Sequence, residues 1–398
     1  MELSRKALGI KFSSTLAITA KANELKSKGL DVVSFSAGEP DFDTPEHIKA
    51  AAIKAINDGF TKYTPASGII ELKKAVCAKF KKDNGISYEP SQIVISNGAK
   101  QALQIGLMTI LNDGDEVIIP APYWVSYSEM VKIAGGTPVI IYTRKGNNFS
   151  PTPDDFKKAY TNKTKAIIIT SPSNPTGAML SGEDLLQIAE FAVSKDLIVI
   201  SDEIYEKLIY DDNKKHISIA SLNDEIYKRT IVVNGVSKSY SMTGWRIGYS
   251  ASSAEIAKIM GSLQSHISGN PNSIAQKAAV EAILGDQSCV LEMKKEFGKR
   301  REYIYQRVLD TPGLSVLKPE GAFYLFVDVS GIYGKKYNGK EINSAAELAA
   351  ILIEEKMVAL VPCDDFGMPD HVRLSYATSM ETIKKGMDRI AELISQLA

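Results

Sequence analysis

Lys238 lies in Val236-Ser237-Lys238-Ser239-Tyr240-Ser241-Met242-Thr243-Gly244-Trp245-Arg246-Ile247-Gly248, where an amine is flanked by hydroxyls and followed at a short interval by a guanidinium. Such an amine can condense with an aldehyde to form a Schiff base. Ser237 and Arg246 are the charge-assisted donors that a phosphate needs. Together they suit an aldehyde-bearing phosphate ester. Taken alone, a lysine is most often a solvated surface group, so the weight of this reading falls on the rest of the chain.

Three further segments add to it. The apolar run Leu197-Ile198-Val199-Ile200 reads as a buried strand, and Ser201-Asp202-Glu203-Ile204-Tyr205 follows at its carboxyl end, the edge at which open α/β sheets bind ligands. Asp202 there suits a protonated ring nitrogen, which would make a heteroaromatic ring an electron sink; it equally suits a helix N-cap. Tyr205 suits a phenolic ring oxygen. Ser171-Pro172-Ser173-Asn174-Pro175-Thr176-Gly177 follows another such run, Ala166-Ile167-Ile168-Ile169. Cis prolyl bonds in that loop would hold the Asn174 amide in a tight turn. Finally, Val94-Ile95-Ser96-Asn97-Gly98-Ala99-Lys100 reads as strand, glycine turn and helix start, and the free N–H groups of such a start attract phosphate. No GxGxxG or Walker pattern is present, which argues against a nucleotide site.

These segments, in this order and spacing, resemble the class I aminotransferases of fold type I, which depend on pyridoxal phosphate, and most closely the bacterial aspartate aminotransferase branch. The resemblance runs nearly end to end. It includes Ser36-Ala37-Gly38-Glu39-Pro40-Asp41-Phe42, Lys62-Tyr63-Thr64-Pro65, Pro122-Tyr123-Trp124-Val125-Ser126-Tyr127 and Val372-Arg373-Leu374-Ser375.

The resemblance implies that Lys238 is the Schiff-base lysine and the acid/base, that Asp202 pairs with the pyridine nitrogen, and that Tyr205 and Asn174 reach the phenolic oxygen. Gly98, Ala99, Ser237 and Arg246 would bind phosphate beside Lys100, and Trp124 would stack on the ring. Tyr63 would reach the phosphate of a neighbouring subunit's cofactor, implying a homodimer with shared sites. Arg373 and Gly38 would hold the substrate α-carboxylate, with Trp124 and Asn174 also facing substrate, and Lys100 assisted by Thr15 would hold a distal carboxylate. The activity implied is ping-pong transfer of an amino group between aspartate or glutamate and 2-oxoglutarate or oxaloacetate. Aspartate/prephenate or broad aromatic transamination and C–S lyase chemistry are the alternatives. Two positions depart from the pattern. Cys363 stands where relatives often have glycine, so the backbone near the substrate is expected to differ, and Gly235 stands where some carry a second phosphate-binding serine.

Composition agrees. The 398 residues include 47 Lys and Arg against 47 Asp and Glu, for a formal net charge of +0, with no basic stripe for nucleic acid and no polybasic tail for a membrane. Cys77, Cys289 and Cys363 are odd in number and widely spaced, which fits a reducing compartment. Neither they nor the four histidines show metal-ligand spacing. The amino terminus lacks an apolar run of signal-peptide length and no run is long enough for a bilayer, so a cytoplasmic protein is expected.

The elements that must position these residues read as α/β. Strand-like runs near 93–95, 117–119, 138–142, 166–170, 197–201, 231–233 and 246–249 alternate with helical stretches such as 99–111 and 182–194, as a doubly wound, mostly parallel sheet requires. After about residue 250 the pattern turns to long helices, short strands near 323–328 and 372–376, the latter alternating and half-buried, and a closing helix near 380–396. The expected division is a large cofactor-binding domain, 45–290, and a smaller α+β domain made of 1–44 and 291–398; the resemblance supplies the amino-terminal part.

Overall fold

The computed structural model describes residues 2–398. Its seven-stranded sheet has the order Ile93–Ser96, Gly248–Ala251, Thr230–Gly235, Ile198–Asp202, Thr164–Thr170, Glu116–Ala121, Thr137–Tyr142. Only Gly248–Ala251 runs against its neighbours. Consecutive residues of the inner strands face opposite ways, and both directions are covered. Ala166 and Ile168 pack with Leu103 and Leu107 of the Ala99–Ile110 helix, while Ile167 and Ile169 pack with Leu185 and Ile188 of Gly182–Ser194. That two-sided burial is why these strands are near-continuous apolar runs.

The strand expected at 246–249 starts instead at Gly248. Arg246 has φ 56°, in the left-handed region, and ends the short turn Thr243–Trp245. The turn aims its guanidinium back, with Nη1 donating to the Thr243 carbonyl at 2.8 Å.

A smaller antiparallel sheet follows the order Val361–Pro362, His371–Ser375, Tyr324–Asp328, Ser315–Val316. Phe297 of the Ser288–Leu309 helix and Ile390 of Met380–Ser395 share its core with Leu325 and Leu374. Phe35 lies in the same core, and its carbonyl accepts from the Ser375 N–H at 2.9 Å. The alternation expected for 372–376 is absent: Val372, Arg373, Leu374 and Ser375 are all buried. Arg373 is flanked on both sides by paired strands, with Val361 on one and Phe326 on the other, and Phe366 and Tyr324 stack against its guanidinium.

Beneath the large sheet's carboxyl edge lies a buried polar network. Lys79 pairs with Glu206, which also accepts from Asn234 Nδ2 at 2.8 Å and from Asn84 Nδ2 at 3.0 Å. Glu203 accepts from Ser201 and Ser218 at 3.0 and 2.7 Å, and its other oxygen lies 3.0 Å from His216 Nε2. Glu203, Glu206 and His216 are near enough to share a cation. The Lys79 ammonium already balances Glu206, and the group reads as an ion-pair network.

Candidate active site

Four consecutive parallel strands end on one cleft of about 400 Å3, and the segments that follow them supply its walls. Trp124 and Tyr127 come after Glu116–Ala121, Asn174 after Thr164–Thr170, Asp202 and Tyr205 from Ile198–Asp202 and the turn beyond it, and Ser237 and Lys238 after Thr230–Gly235. This is the edge where such sheets bind ligands. The opposite wall comes from Thr15, Gly38, Tyr324 and Arg373.

Lys238 Nζ donates to the Gly38 carbonyl at 2.6 Å. Burial lowers its pKa to about 8, with the Arg246 and Arg373 charges acting in the same direction against Glu39 and Asp202. The amine is therefore partly neutral near physiological pH, as an acid/base requires. Asp202 is buried; its Oδ2 accepts from the Tyr127 hydroxyl at 2.7 Å and its Oδ1 from the Ile204 N–H at 3.2 Å. Burial raises its pKa to about 6, and those two donors hold it from rising further. The Ile204 contact has the form of a local turn, yet Asp202 remains the last residue of its strand and caps no helix.

At the phosphate end, the Ala99–Ile110 helix has no side-chain cap at Gly98, so its N-terminal dipole and N–H groups are open to an anion. Gly98 has φ 88°, and a Cβ there would lie 2.4 Å from Arg246 Nη2. Glycine is what lets the guanidinium lie over the helix start. Ser237 is buried in the same corner. Gly235 stands apart from this cluster, since a Cβ there would lie 3.0 Å from both Gly248 Cα and the Ile247 carbonyl; tight strand packing explains the absence of a serine.

On the opposite wall, Arg373 is 2% exposed. Its Nη2 donates to the Ser36 carbonyl at 2.9 Å and Nη1 to Asn174 Oδ1 at 3.1 Å, while Nε is buried without a partner. Arg373 lines the cleft, and a buried cation whose side-chain hydrogen-bond partners among the described residues are neutral oxygens is suited to a carboxylate. Lys100 lies over the Trp124 ring, 4.8 Å from its centre. Burial and the Arg246 charge lower its pKa, and no carboxylate among the described residues pairs with it. Cys363 is buried beside Phe366 and Val361, outside the cleft; its N–H donates to the His371 carbonyl at 2.9 Å, so the backbone there is held by the sheet.

Of the residues given a catalytic or binding role from the sequence, all but Gly98 and Tyr63 line this cleft. Gly98 touches it through Arg246. Tyr63 is 98% exposed and lies away from it. Among the lining residues that sequence reasoning missed are two tyrosines that hydrogen-bond to Asp202 and Tyr205. Tyr127 is three positions beyond Trp124, a spacing that could have placed it on the same face of the following turn. Tyr324, whose hydroxyl lies 2.9 Å from that of Tyr205, is 119 residues away from it in sequence and gave no local signal.

The cleft fits pyridoxal phosphate on its own chemistry. It offers an open helix N-terminus with Arg246 and Ser237 for the phosphate, a buried carboxyl for the ring nitrogen, hydroxyl and amide groups for the phenolic oxygen, and an amine of lowered pKa for the aldehyde.

Comparison with known proteins agrees. The family model described as "Aminotransferase class I and II" matches residues 30–390. An aspartate aminotransferase of Bacillus subtilis is 48% identical over 396 residues, covering 100% of both chains. A probable aspartate/prephenate aminotransferase of Aquifex aeolicus is 46% identical over 397 residues, covering 99% of each. The crystal structure of the aspartate aminotransferase from Rhizobium meliloti superposes with a TM-score of 0.96 at 40% identity, again covering 100% of both chains.

Proposed function

The chain belongs to the class I and II aminotransferases, and from that premise we propose that its cleft transfers the amino group between aspartate or glutamate and the oxoacids 2-oxoglutarate and oxaloacetate in a ping-pong exchange. The observation that carries the dicarboxylate reading is the pair of cations in one cleft, Arg373 and Lys100, neither with an acidic partner among the described residues. Two carboxylates satisfy both.

Pyridoxal phosphate, when bound, supplies an aldehyde that exchanges between amines and a ring that takes up the electron pair left at the substrate Cα. The chain's residues do the rest. Arg373, with the Gly38 N–H, holds the α-carboxylate and so fixes which Cα bond stands across the ring. Lys238, its amine free once substrate is held, would remove the Cα proton and deliver it to the former aldehyde carbon, two atoms away across the substrate nitrogen, after which water would release the oxoacid; its lowered pKa suits both duties. Asp202 keeps a proton on the ring nitrogen, and Tyr127 holds that carboxylate in place. Tyr205 and Asn174 donate to the phenolic oxygen. Trp124 covers the ring face and Arg246, Ser237, Gly98 and Ala99 anchor the phosphate. Return of the nitrogen to a second oxoacid runs the same steps backwards.

This reading extends to a homodimer in which Tyr63 completes the partner's phosphate site. Its support is the 98% exposure of Tyr63 together with the exposed Ile53, Ile56 and Ile70 on the same stretch of chain. It takes 45–290 as the cofactor-binding domain and 1–44 with 291–398 as the smaller one, supported by the Phe35 contact with the small sheet's core. The cytoplasm is the setting, supported by three free cysteines. Prephenate, which also carries a second carboxylate, is the second acceptor to weigh, in view of the Aquifex relative.

The test is kcat/KM for aspartate, glutamate, phenylalanine and alanine with 2-oxoglutarate, and for prephenate with aspartate, on wild type and Lys100→Ala. A loss of about 10–100-fold confined to substrates with a second carboxylate, the worth of one charge-assisted hydrogen bond, is expected. Equal losses for alanine and aspartate, or none for aspartate, overturn the role of Lys100.

A further inference from the structure

The Tyr205 and Tyr324 hydroxyls lie 2.9 Å apart, and no other hydrogen-bond partner of the Tyr324 hydroxyl occurs among the described residues. Tyr324 is 1% exposed. Its ring lies against the Arg373 guanidinium, 4.5 Å from ring centre to carbon, and its oxygen would be 3.1 Å from a Cβ placed on Gly38. One side chain thus touches a ring-oxygen donor, the α-carboxylate arginine and the backbone of the glycine that faces the same carboxylate.

Each phenol has a single proton. Tyr324 has one acceptor for its proton, the Tyr205 oxygen, and a buried hydroxyl proton without an acceptor costs free energy. If Tyr205 donated to Tyr324 instead, the Tyr324 proton would be stranded and Tyr205 would have none to offer the cleft. The favoured arrangement has Tyr324 donating to Tyr205 and Tyr205 donating outward. A chain of two hydroxyls oriented this way also strengthens its outer bond.

We propose that Tyr324 is a positioning residue: its hydroxyl orients the Tyr205 proton toward the phenolic oxygen of bound pyridoxal phosphate, and its ring seats the Arg373 guanidinium for the substrate α-carboxylate. The inference rests on the cofactor reading above. It couples the two ends of the reacting centre, since one side chain on the small sheet sets both the electronics of the ring and the placement of the carboxylate that aligns the substrate. The sequence hides this because Tyr324 reaches Arg373 through strand register, with Tyr324 opposite Ser375 and Phe326 opposite Arg373.

Two variants separate its two parts. Tyr324→Phe keeps the ring and removes the hydroxyl; Tyr324→Leu removes both. In each holoenzyme the visible absorption is titrated against pH without substrate, which reads the proton on the nitrogen joining Lys238 to the cofactor. A weaker Tyr205 bond leaves more negative charge on the phenolic oxygen, so that proton is held more tightly and the midpoint rises. For Tyr324→Phe the expected rise is about 0.1–0.7 pH unit, the roughly 10–30% that a feeding hydroxyl adds to a charge-assisted hydrogen bond. The dissociation constant of maleate, a dicarboxylate probe, stays within about twofold for Tyr324→Phe and weakens roughly 2–30-fold for Tyr324→Leu, the range of a cation–π contact. An unshifted midpoint in Tyr324→Phe overturns the hydroxyl role, and maleate binding that weakens as much in Tyr324→Phe as in Tyr324→Leu overturns the ring role. Absence of any cofactor absorption in the wild type would instead overturn the reading on which the inference rests.

Discussion

At the scale of single residues, the chemistry depends on groups whose protonation is set by burial. Lys238 is the clearest case, because burial lowers its pKa from the usual 10.5 of a lysine to about 8. Only the neutral amine attacks an aldehyde, so the rate at which cofactor-free protein captures pyridoxal phosphate should rise with pH and level off above about 8; stopped-flow absorption checks this. A rate still climbing toward pH 10 would mean the amine is not desolvated as described. Asp202→Asn should keep the fold and lower kcat by about 100–1,000-fold, the usual cost of removing one preorganised electrostatic partner; an unchanged rate removes Asp202 from the ring nitrogen. Lys238 and Asp202 were legible because each sits in a short motif at the end of an apolar run. Tyr324 was not, because its meaning comes from contacts made across more than a hundred residues.

At the scale of elements, the parallel strands were legible for a physical reason. Burial on both faces demands apolar residues at nearly every position, and such runs stand out from their surroundings. What escaped were the places where tertiary structure overrides the local pattern. Arg246 in the left-handed region cuts short the strand expected at 246–249, and the His371–Ser375 strand lost its expected alternation because both of its faces are covered. The buried network under the sheet was equally silent, since it joins Lys79 of the Ile70–Lys79 helix to Glu206 and to Asn234 on Thr230–Gly235. Burial alone would raise the Glu206 pKa, but Lys79 and His216 outweigh it and bring it to about 2. The depressed pKa means that this carboxylate stabilises the fold above its unfolded pKa near 4.5 and that the contribution is lost as pH falls toward 2. Lys79→Ala leaves the carboxylate buried without its cation and should destabilise the protein by about 3–5 kcal/mol in urea unfolding at pH 7. A loss below about 1 kcal/mol would show that water replaces the lysine.

At the scale of the whole molecule, the sheet edge with the groups proposed to hold the cofactor and the smaller sheet with Arg373 both line one cleft. A second copy of the chain is the remaining proposed component. Mixing Tyr63→Phe chains with Lys238→Ala chains should give activity above either parent, because a hybrid pair contains one site with both side chains intact; the steady-state rate of the refolded mixture checks this. Light scattering that finds only monomer at assay concentration would contradict shared sites. Tyr63 shows the limit of a single chain: the motif around it was plain in the sequence, but the purpose proposed for it lies in a second copy.

The most direct test of the central claim is to treat the purified holoprotein with borohydride, which traps pyridoxal phosphate on the amine that holds it, and to map the modified peptide by mass spectrometry. One modified residue is expected, Lys238, within Val236-Ser237-Lys238-Ser239-Tyr240. A cofactor trapped on another lysine, or none trapped from a protein that transaminates aspartate, would contradict it.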